Sequence, residues 1–232
     1  MDLLQVLTIV GANGYEKDIN HTLNLSKEFR NDPLLWDAVK NMMFHYNKTR
    51  LRYAVHTENL ERVKFLLDRN ARVDDCLMIA IRNNNLEIVE EFCKHGVNIN
   101  QVFNNRMTPL IIASESGNLE IVKILCRYKV DVNFVDPIPL WNALIYATRN
   151  GHFQIVVELC RNKANIDQKS LFGVTALMYA LEHNHFDIAR YLCELGCNVN
   201  FINYHNDSAL DIALRLNNKQ QEMVYLLHSH GA

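Results

Sequence analysis

The sequence predicts an all-α solenoid with short β-hairpin fingers, built from six helix-turn-helix units and preceded by an N-terminal helical cap. A leucine-alanine pair recurs along the chain, its step is nearly constant, and a turn signal and a second apolar pattern follow most copies. The alanines lie at Ala54, Ala80, Ala113, Ala147, Ala180 and Ala213. They are separated by 26, 33, 34, 33 and 33 residues, and a fixed step of this size indicates repeats that pack only on their neighbours.

The composition is that of an ordinary globular protein. Of 232 residues, 49% are hydrophobic and 22% are charged, and the net charge is −2. This balance gives no reason to expect nucleic acid or a membrane surface as a partner. The apolar run at residues 3–10 is too short to cross a bilayer and no basic segment precedes it, so neither a membrane anchor nor a signal peptide is expected.

Residues 1–48 do not carry the repeat. A solenoid needs an atypical terminal unit to cover its last apolar face, so this segment is predicted to be a helical cap. Asp32 is a candidate N-cap residue and Pro33 a candidate first helical residue for a helix that runs to about residue 46.

A second interpretation of this segment also stays open. Residues 25–36 resemble the second half of an F-box, a short helical motif that docks substrate receptors on cullin-type ubiquitin ligases. The usual Leu-Pro opening is missing, and the spacing between Arg30 and Trp36 is shorter than in that family. The resemblance implies that Leu34, Leu35 and Trp36 contact a ligase adaptor.

Each repeat, in the ranges that begin near residues 49, 75, 108, 142, 175 and 208, opens with a predicted first helix. Good N-cap residues lie five positions before each alanine, at Thr49, Asp75, Thr108, Asn142, Thr175 and Ser208. Leucine and alanine three positions apart share one helix face, which is therefore predicted to be buried.

A tight turn and a second helix complete each repeat. Residues four positions after the alanine are mostly Gly or Asn, which tolerate left-handed backbone: Glu58, Asn84, Gly117, Gly151, Asn184 and Asn217. Apolar residues six, eight, nine and twelve positions after the alanine predict the buried stripe of the second helix. A second left-handed site is predicted at its end, where Lys129 and Lys163 replace glycine at a cost of about 1 kcal/mol each.

These motifs closely resemble the ankyrin repeat over residues 49–232. The resemblance rests on Thr-Pro-Leu-x-x-Ala at residues 108–113, Gly-Asn-Leu-Glu-Ile-Val at 117–122 and Asp-Val-Asn at 131–133. It implies stacked helix pairs, projecting hairpin fingers and a concave face that binds proteins. Two departures are clear: the first step lacks a finger, and the family's histidine two positions before the alanine is absent, along with its hydrogen bonds to the neighbouring cap.

Four cysteines lie thirteen residues after their repeat's alanine, at Cys93, Cys126, Cys160 and Cys193. Equivalent residues of stacked repeats are about 10 Å apart, which is beyond the roughly 7 Å between α carbons that a disulfide allows. The thiols are therefore predicted to be reduced core residues, which favours a cytoplasmic or nuclear location.

The resemblance implies that a protein partner binds the exposed ends of the first helices and the finger tips. The helix ends are Arg82, Glu115, Arg149, Glu182 and Arg215. The tips are Asn104, Asn105, Ile138, Leu171, Phe172, Tyr204 and His205. Phe134 and Phe201 are predicted instead to pack under the fingers. The alternating charges either steer a partner of mixed charge or form a solvated face, and both interpretations stay open.

No catalytic motif is present, so we predict a non-catalytic scaffold without cofactor or metal. His183 and His185 lie two residues apart, as do His228 and His230, and such pairs fall on different sides of a helix. The alternative function is that of an F-box and ankyrin substrate receptor of a cullin-type ligase. The resemblance also implies that Asn133 is a candidate for hydroxylation by a cellular oxygenase.

Overall fold

The computed structural model describes residues 50–73, 75–103, 106–215 and 221–232. The predicted cap or F-box, with Leu34, Leu35 and Trp36, lies outside these residues, as do the finger residues Asn104 and Asn105. The chain divides at Arg50 into two units, and the structure described below is that of the second, Leu51–Ala232.

Within the described residues this unit consists of helix pairs, which confirms the predicted all-α repeat architecture. The first helices are α1 (residues 50–56), α3 (Cys76–Arg82), α5 (Pro109–Glu115), α7 (Ala143–Arg149), α9 (Ala176–Glu182) and α11 (Ala209–Arg215). The second helices are α2 (Leu60–Leu67), α4 (Leu86–Lys94), α6 (Leu119–Arg127), α8 (Phe153–Arg161), α10 (Phe186–Glu194) and α12 (Gln221–Ser229). Among the described residues, no helix has both the length and the apolar character needed to span a bilayer.

The repeats pack in succession. From α3 to α11, each first helix contacts the first helix of the next repeat, and each second helix contacts the next second helix from α2 to α12. The repeat alanines line the first of these contacts and are at most 2% exposed. The predicted stripe of the second helices is also buried: Ile121, Val122 and Leu125, for example, are 0% exposed. Small side chains therefore let helices approach, and larger ones fill the space behind them.

Four of the predicted N-caps form. The side chains of Thr108, Asn142 and Thr175 accept the backbone N–H three residues on, at 3.3, 3.0 and 3.4 Å. Ser208 makes a reciprocal cap, because its hydroxyl accepts from the Asp211 amide at 3.1 Å and its own amide donates to the Asp211 carboxylate at 2.8 Å. Each cap satisfies amides that the first helical turn leaves without a partner.

The predicted cap at Asp75 is wrong. Its side chain caps no amide, and its carboxylate instead lies 3.2 Å from the guanidinium of Arg52. The backbone of Asp75 has ψ 0°, whereas an N-cap residue ordinarily needs an extended conformation to aim its side chain at the first turn. The equivalent Thr49 lies outside the described residues.

Both predicted left-handed positions are confirmed. After the first helices, positive φ occurs at Glu58, Asn84, Gly117, Gly151 and Asn184, while Asn217 lies outside the described residues. After the second helices it occurs at Asn70, Gly96, Lys129, Lys163, Gly196 and Gly231. The two lysines, with φ of 60° and 65°, therefore adopt a backbone that glycine accepts more readily.

The fingers are compact turns. Each is closed by a backbone hydrogen bond across its base, such as Ser170 N–H to Val174 O at 2.9 Å and Asn203 N–H to Asp207 O at 3.0 Å. Between described residues the only β-bridge is antiparallel and isolated, from Ile202 to Ser208. The expected β-hairpins do not develop into strands there, because finger amides bond to side chains of the same turn rather than across a ladder: Ser170 accepts two of them, and so does Asn203.

The four cysteines predicted to be reduced, Cys93, Cys126, Cys160 and Cys193, form no disulfide. Cys93 and Cys193 are buried, and Cys126 and Cys160 are half-buried. Burial raises the pKa of the Cys93, Cys126 and Cys160 thiols to about 11. These thiols therefore behave as small apolar core residues at neutral pH.

Candidate functional site

A buried polar residue lies at the base of three successive fingers. Asp136, Ser170 and Asn203 are 3%, 4% and 5% exposed. Each accepts amides of its own finger: Asp136 from Ile138 at 3.0 Å, Ser170 from Phe172 and Val174 at 3.2 and 3.1 Å, and Asn203 from His205 and Asp207 at 2.8 and 3.0 Å. Such side-chain turns hold the tips in one conformation. The repeat motifs do not predict these turns, although the three polar residues recur at steps of 34 and 33.

Large apolar side chains are exposed at the tips of these fingers. Ile138, Leu171, Phe172 and Tyr204 are 60%, 44%, 54% and 76% exposed, and we call these four residues the finger ridge. Consecutive tips are joined through the backbone, from Leu171 N–H to Pro139 O at 2.8 Å and from Tyr204 N–H to Phe172 O at 3.0 Å. The predicted tip residue His205 is also exposed. The ridge is therefore a row of apolar side chains on a rigid backbone.

The aromatic residues below the tips behave differently. Phe134 and Phe201 are half-buried and pack against the core, as predicted. The ammonium of Lys169 lies 3.7 Å from the centre of the Phe201 ring, a cation–π contact that covers part of the remaining surface.

Trp141, the residue before the N-cap of α7, is half-buried. Its ring packs edge-on against Tyr146 and Tyr179, with centroids 5.0 and 5.2 Å apart. Tyr146 donates a hydrogen bond from its hydroxyl to Asp136 at 3.0 Å, and burial together with this bond raises the pKa of the phenol. This cluster fastens the base of the finger to α7.

The five charged residues predicted at the helix ends are the last residues of their helices, and all are exposed. We call Arg82, Glu115, Arg149, Glu182 and Arg215 the charge stripe. Arg215 pairs with Asp207 of the last finger. The other four form no salt bridge with a described residue. Glu115 and Glu182 oppose the helix dipole, since a carboxylate at a helix C-terminus is unfavourable by about 0.3–1 kcal/mol.

The stripe is positioned by the repeat that follows it. Asn118 donates to the carbonyl of Ile81 at 2.9 Å, and Asn150 donates to that of Glu115 at 2.9 Å. The Nε2 atom of His152 lies 3.2 Å from the Glu115 carbonyl oxygen. These groups satisfy the last carbonyls of the first helices. The sequence predicts the absence of the family's histidine but not these replacement contacts, whose signal is a polar residue next to the turn glycine: Asn118, Asn150 and His152.

Side-chain hydrogen bonds also join successive repeats in the segment between each second helix and the following finger. The side chains of Asn100, Asn133 and Asp167 accept the amides of Asp131, Asn165 and Asn198 at 2.8, 2.7 and 2.9 Å. Asn133 also donates to the carbonyl of Lys163 at 3.2 Å. Asn133 is exposed and hydrogen-bonded to the next repeat. Its hydroxylation stays a prediction.

No group of three His, Cys, Asp or Glu side chains that could hold a metal ion occurs among the described residues. His183 makes a local contact, with Nδ1 3.1 Å from the Tyr179 carbonyl oxygen, whereas His185 reaches the carbonyl of Arg149 in the preceding repeat. Both rings therefore contact carbonyl oxygens near the ends of first helices.

A family model described as ankyrin repeats (3 copies) matches residues 51–136 and 144–232. No curated protein matches the chain.

Proposed function

This chain belongs to the ankyrin repeat family, and from that premise we propose that it is a non-catalytic scaffold whose finger ridge and charge stripe bind a protein partner. Ankyrin repeats are generally protein-protein interaction modules. The part specific to this chain is the surface it offers.

The finger ridge is the observation that carries the proposal. Scattered apolar residues are ordinary on a surface, but a contiguous apolar row marks a site of contact. Covering the exposed parts of Phe172 and Tyr204 would remove on the order of 200 Å² from water, which is about 5 kcal/mol before the costs of association. Their fixed backbones reduce those costs, because little conformational freedom is lost on binding.

Contacts between fingers and helix ends support treating the ridge and the stripe as one surface. The guanidinium of Arg149 lies 5.1 Å from the ring centre of Trp141, and Arg215 pairs with Asp207. Each pair joins a stripe residue to a finger of its own repeat. A partner seated on the tips would therefore meet charged groups beside them.

The test is affinity capture with the full-length protein. Replacing Phe172 and Tyr204 by Asp should abolish recovery of the principal partner. The matched control is Tyr225→Asp, because Tyr225 is 70% exposed and lies on α12, away from the ridge. Circular dichroism must show that both variants fold. Equal recovery of the partner by the ridge variant would contradict the proposal.

The ligase-receptor alternative rests on residues 1–48. It stays a prediction and would add recruitment of a ubiquitin ligase to partner binding by the repeats.

A further inference from the structure

We infer that the partner presents an amphipathic α-helix with a basic, an acidic and a basic residue at seven-residue intervals, facing Glu115, Arg149 and Glu182. The inference rests on the proposed function and specifies the chemistry that this surface recognises.

The three charges alternate at a fixed spacing. Glu115, Arg149 and Glu182 end α5, α7 and α9, which pack against one another in succession. Packed helices lie about 8–10 Å apart, so consecutive charges are separated by about that distance. All three side chains are exposed, and none forms a salt bridge with a described residue.

The carboxylates of Glu115 and Glu182 lie in an unfavourable electrostatic position on their own helices. Neither α5 nor α9 has a basic residue in its last turn, so nothing in these turns offsets a negative charge at the negative end of the dipole. Although Glu182 reaches solvent, partial burial among neighbouring groups raises the pKa of its carboxyl. His183 and Arg215 favour the charged form of Glu182, but its pKa stays raised, so they offset its unfavourable surroundings only in part. Residues that break a local rule are expected where function requires them, and a cation from a partner would supply the remaining compensation.

The spacing selects a helix over a strand. Seven residues of α-helix advance about 10.5 Å and return to the same face to within about 20°. In a β-strand, side chains on one face recur about every 6.7 Å, which does not match the repeat step. A helix running along this part of the stripe therefore meets Glu115, Arg149 and Glu182 in turn.

The finger ridge explains why the helix must be amphipathic. Because Trp141 lies under Arg149 and the next finger tip bonds to the Pro139 carbonyl, a helix on the stripe has the ridge along one side. Apolar residues three and four positions from its charges would cover the ridge. Arg215 is already paired with Asp207, so the charged flank of the partner need not extend beyond Glu182.

Two synthetic helical peptides test the inference against the full-length chain. Both carry leucines along one face. One has Lys, Glu and Lys at seven-residue intervals on the adjacent flank, and the other has Glu, Lys and Glu, with the difference in charge balanced on the opposite face. Because both patterns read the same in either direction, binding orientation does not matter. By fluorescence anisotropy at low salt, the Lys-Glu-Lys peptide should bind at least tenfold more tightly.

A charge-swapped chain provides the matched control. In the triple variant Glu115→Lys, Arg149→Glu, Glu182→Lys, the preference should reverse toward the Glu-Lys-Glu peptide. Equal binding of the two peptides, no binding of either, or an unchanged preference in the folded triple variant would each overturn the inference.

The same variant separates this inference from the proposed function. If the partner recovered by affinity capture binds the charge-swapped chain as well as the wild type but not the ridge variant, the scaffold function stands and the helix inference fails. If it also binds the ridge variant, the proposed function itself is wrong.

Discussion

The imidazole of His185 occupies the space that a side chain on Gly151 would fill. A Cβ atom at Gly151 would lie 2.6 Å from Cε1 of the ring, and the Nε2 atom lies 3.2 Å from the Arg149 carbonyl oxygen, to which the Nε2–H tautomer donates. Gly117 and His152 repeat the arrangement one step earlier, at 2.8 Å. The turn glycine therefore provides both a left-handed backbone and room for the ring that joins two repeats.

Replacing Gly151 by Ala should be markedly destabilising. The backbone has φ 74°, which costs about 1–2 kcal/mol for any other residue, and the displaced His185 ring adds to this. We expect a loss of about 2–3 kcal/mol in the free energy of unfolding, measured by urea denaturation.

Gly96→Ala is the control for this change. Gly96 has φ 69°, and a Cβ atom there would meet no other atom within 4 Å, so only the backbone cost applies, about 1–2 kcal/mol. Equal losses in the two variants would show that the His185 contact contributes nothing to stability.

Asn203→Ala should loosen the last described finger. The substitution removes the acceptor for two amides in a residue that is 5% exposed, and buried donors left unpaired cost about 1–3 kcal/mol. Asn198→Ala is the matched comparison, since this exposed side chain accepts one amide, that of Asn200, at 2.9 Å. Its loss should be smaller than about 1 kcal/mol, because water replaces the acceptor. Thermal denaturation distinguishes the two, and a larger loss at Asn198 would contradict the role assigned to the buried turn.

Lys129→Gly should stabilise the protein. Lys129 is exposed with φ 60°, and relief of this conformation is expected to raise the free energy of unfolding by about 1 kcal/mol. Lys129→Ala, which keeps the unfavourable backbone, should change little. The urea midpoint reports both, and no gain from glycine would mean that the greater freedom of the unfolded chain offsets the relief.

His95 makes the contact between the first two described repeats dependent on pH. Its Nε2 atom lies 3.1 Å from the Asp68 carboxylate and its Nδ1 atom lies 3.0 Å from the Glu91 carbonyl oxygen. The hydrogen bond with Asp68, followed by that with Glu91, raises the pKa of His95 above its ordinary value.

Because the folded pKa of His95 is the higher one, its contribution is complete below the unfolded value near 6.5 and is lost as pH rises through the folded value. We expect wild type to exceed Asp68→Asn in unfolding free energy by less than about 1 kcal/mol at about pH 5.5, where histidines are protonated and carboxylates ionised. The difference should vanish at about pH 8.5, well above the ordinary histidine pKa. Urea denaturation across this range measures it, and a difference that grows with pH would contradict the assignment.

The ligase-receptor alternative predicts that replacing Leu34, Leu35 and Trp36 by Ala abolishes co-purification of cullin-complex subunits while the repeat's own partner is retained. Affinity capture of the wild type and the variant in parallel makes this comparison. Failure of the wild-type chain to recover those subunits would remove the F-box interpretation.

Much of the fold could be predicted because its determinants are local and repeated. The caps at Thr108, Asn142 and Thr175 and the turns at Gly117 and Gly151 depend on a few neighbouring residues. The predicted cap at Asp75 was wrong because an N-cap needs both a suitable side chain and an extended backbone. Asp75 has the side chain but not the backbone conformation. The buried polar residues at the base of the fingers were not predicted, because Asp136, Ser170 and Asn203 differ in residue type. They share only their position in the repeat and their hydrogen bonds to finger amides.

The sequence by itself determined the repeat, the buried faces and the identity of the exposed helix ends, since periodicity assigns each side chain to the core or to the surface. Tertiary structure decided which of those exposed groups are free. Arg215 is paired with a finger aspartate and Trp141 is half-buried in an aromatic cluster. Phe172 and Tyr204, by contrast, are exposed, and Glu115 and Glu182 form no salt bridge with a described residue. That distinction depends on distances between residues of different repeats, which spacing along the chain does not encode.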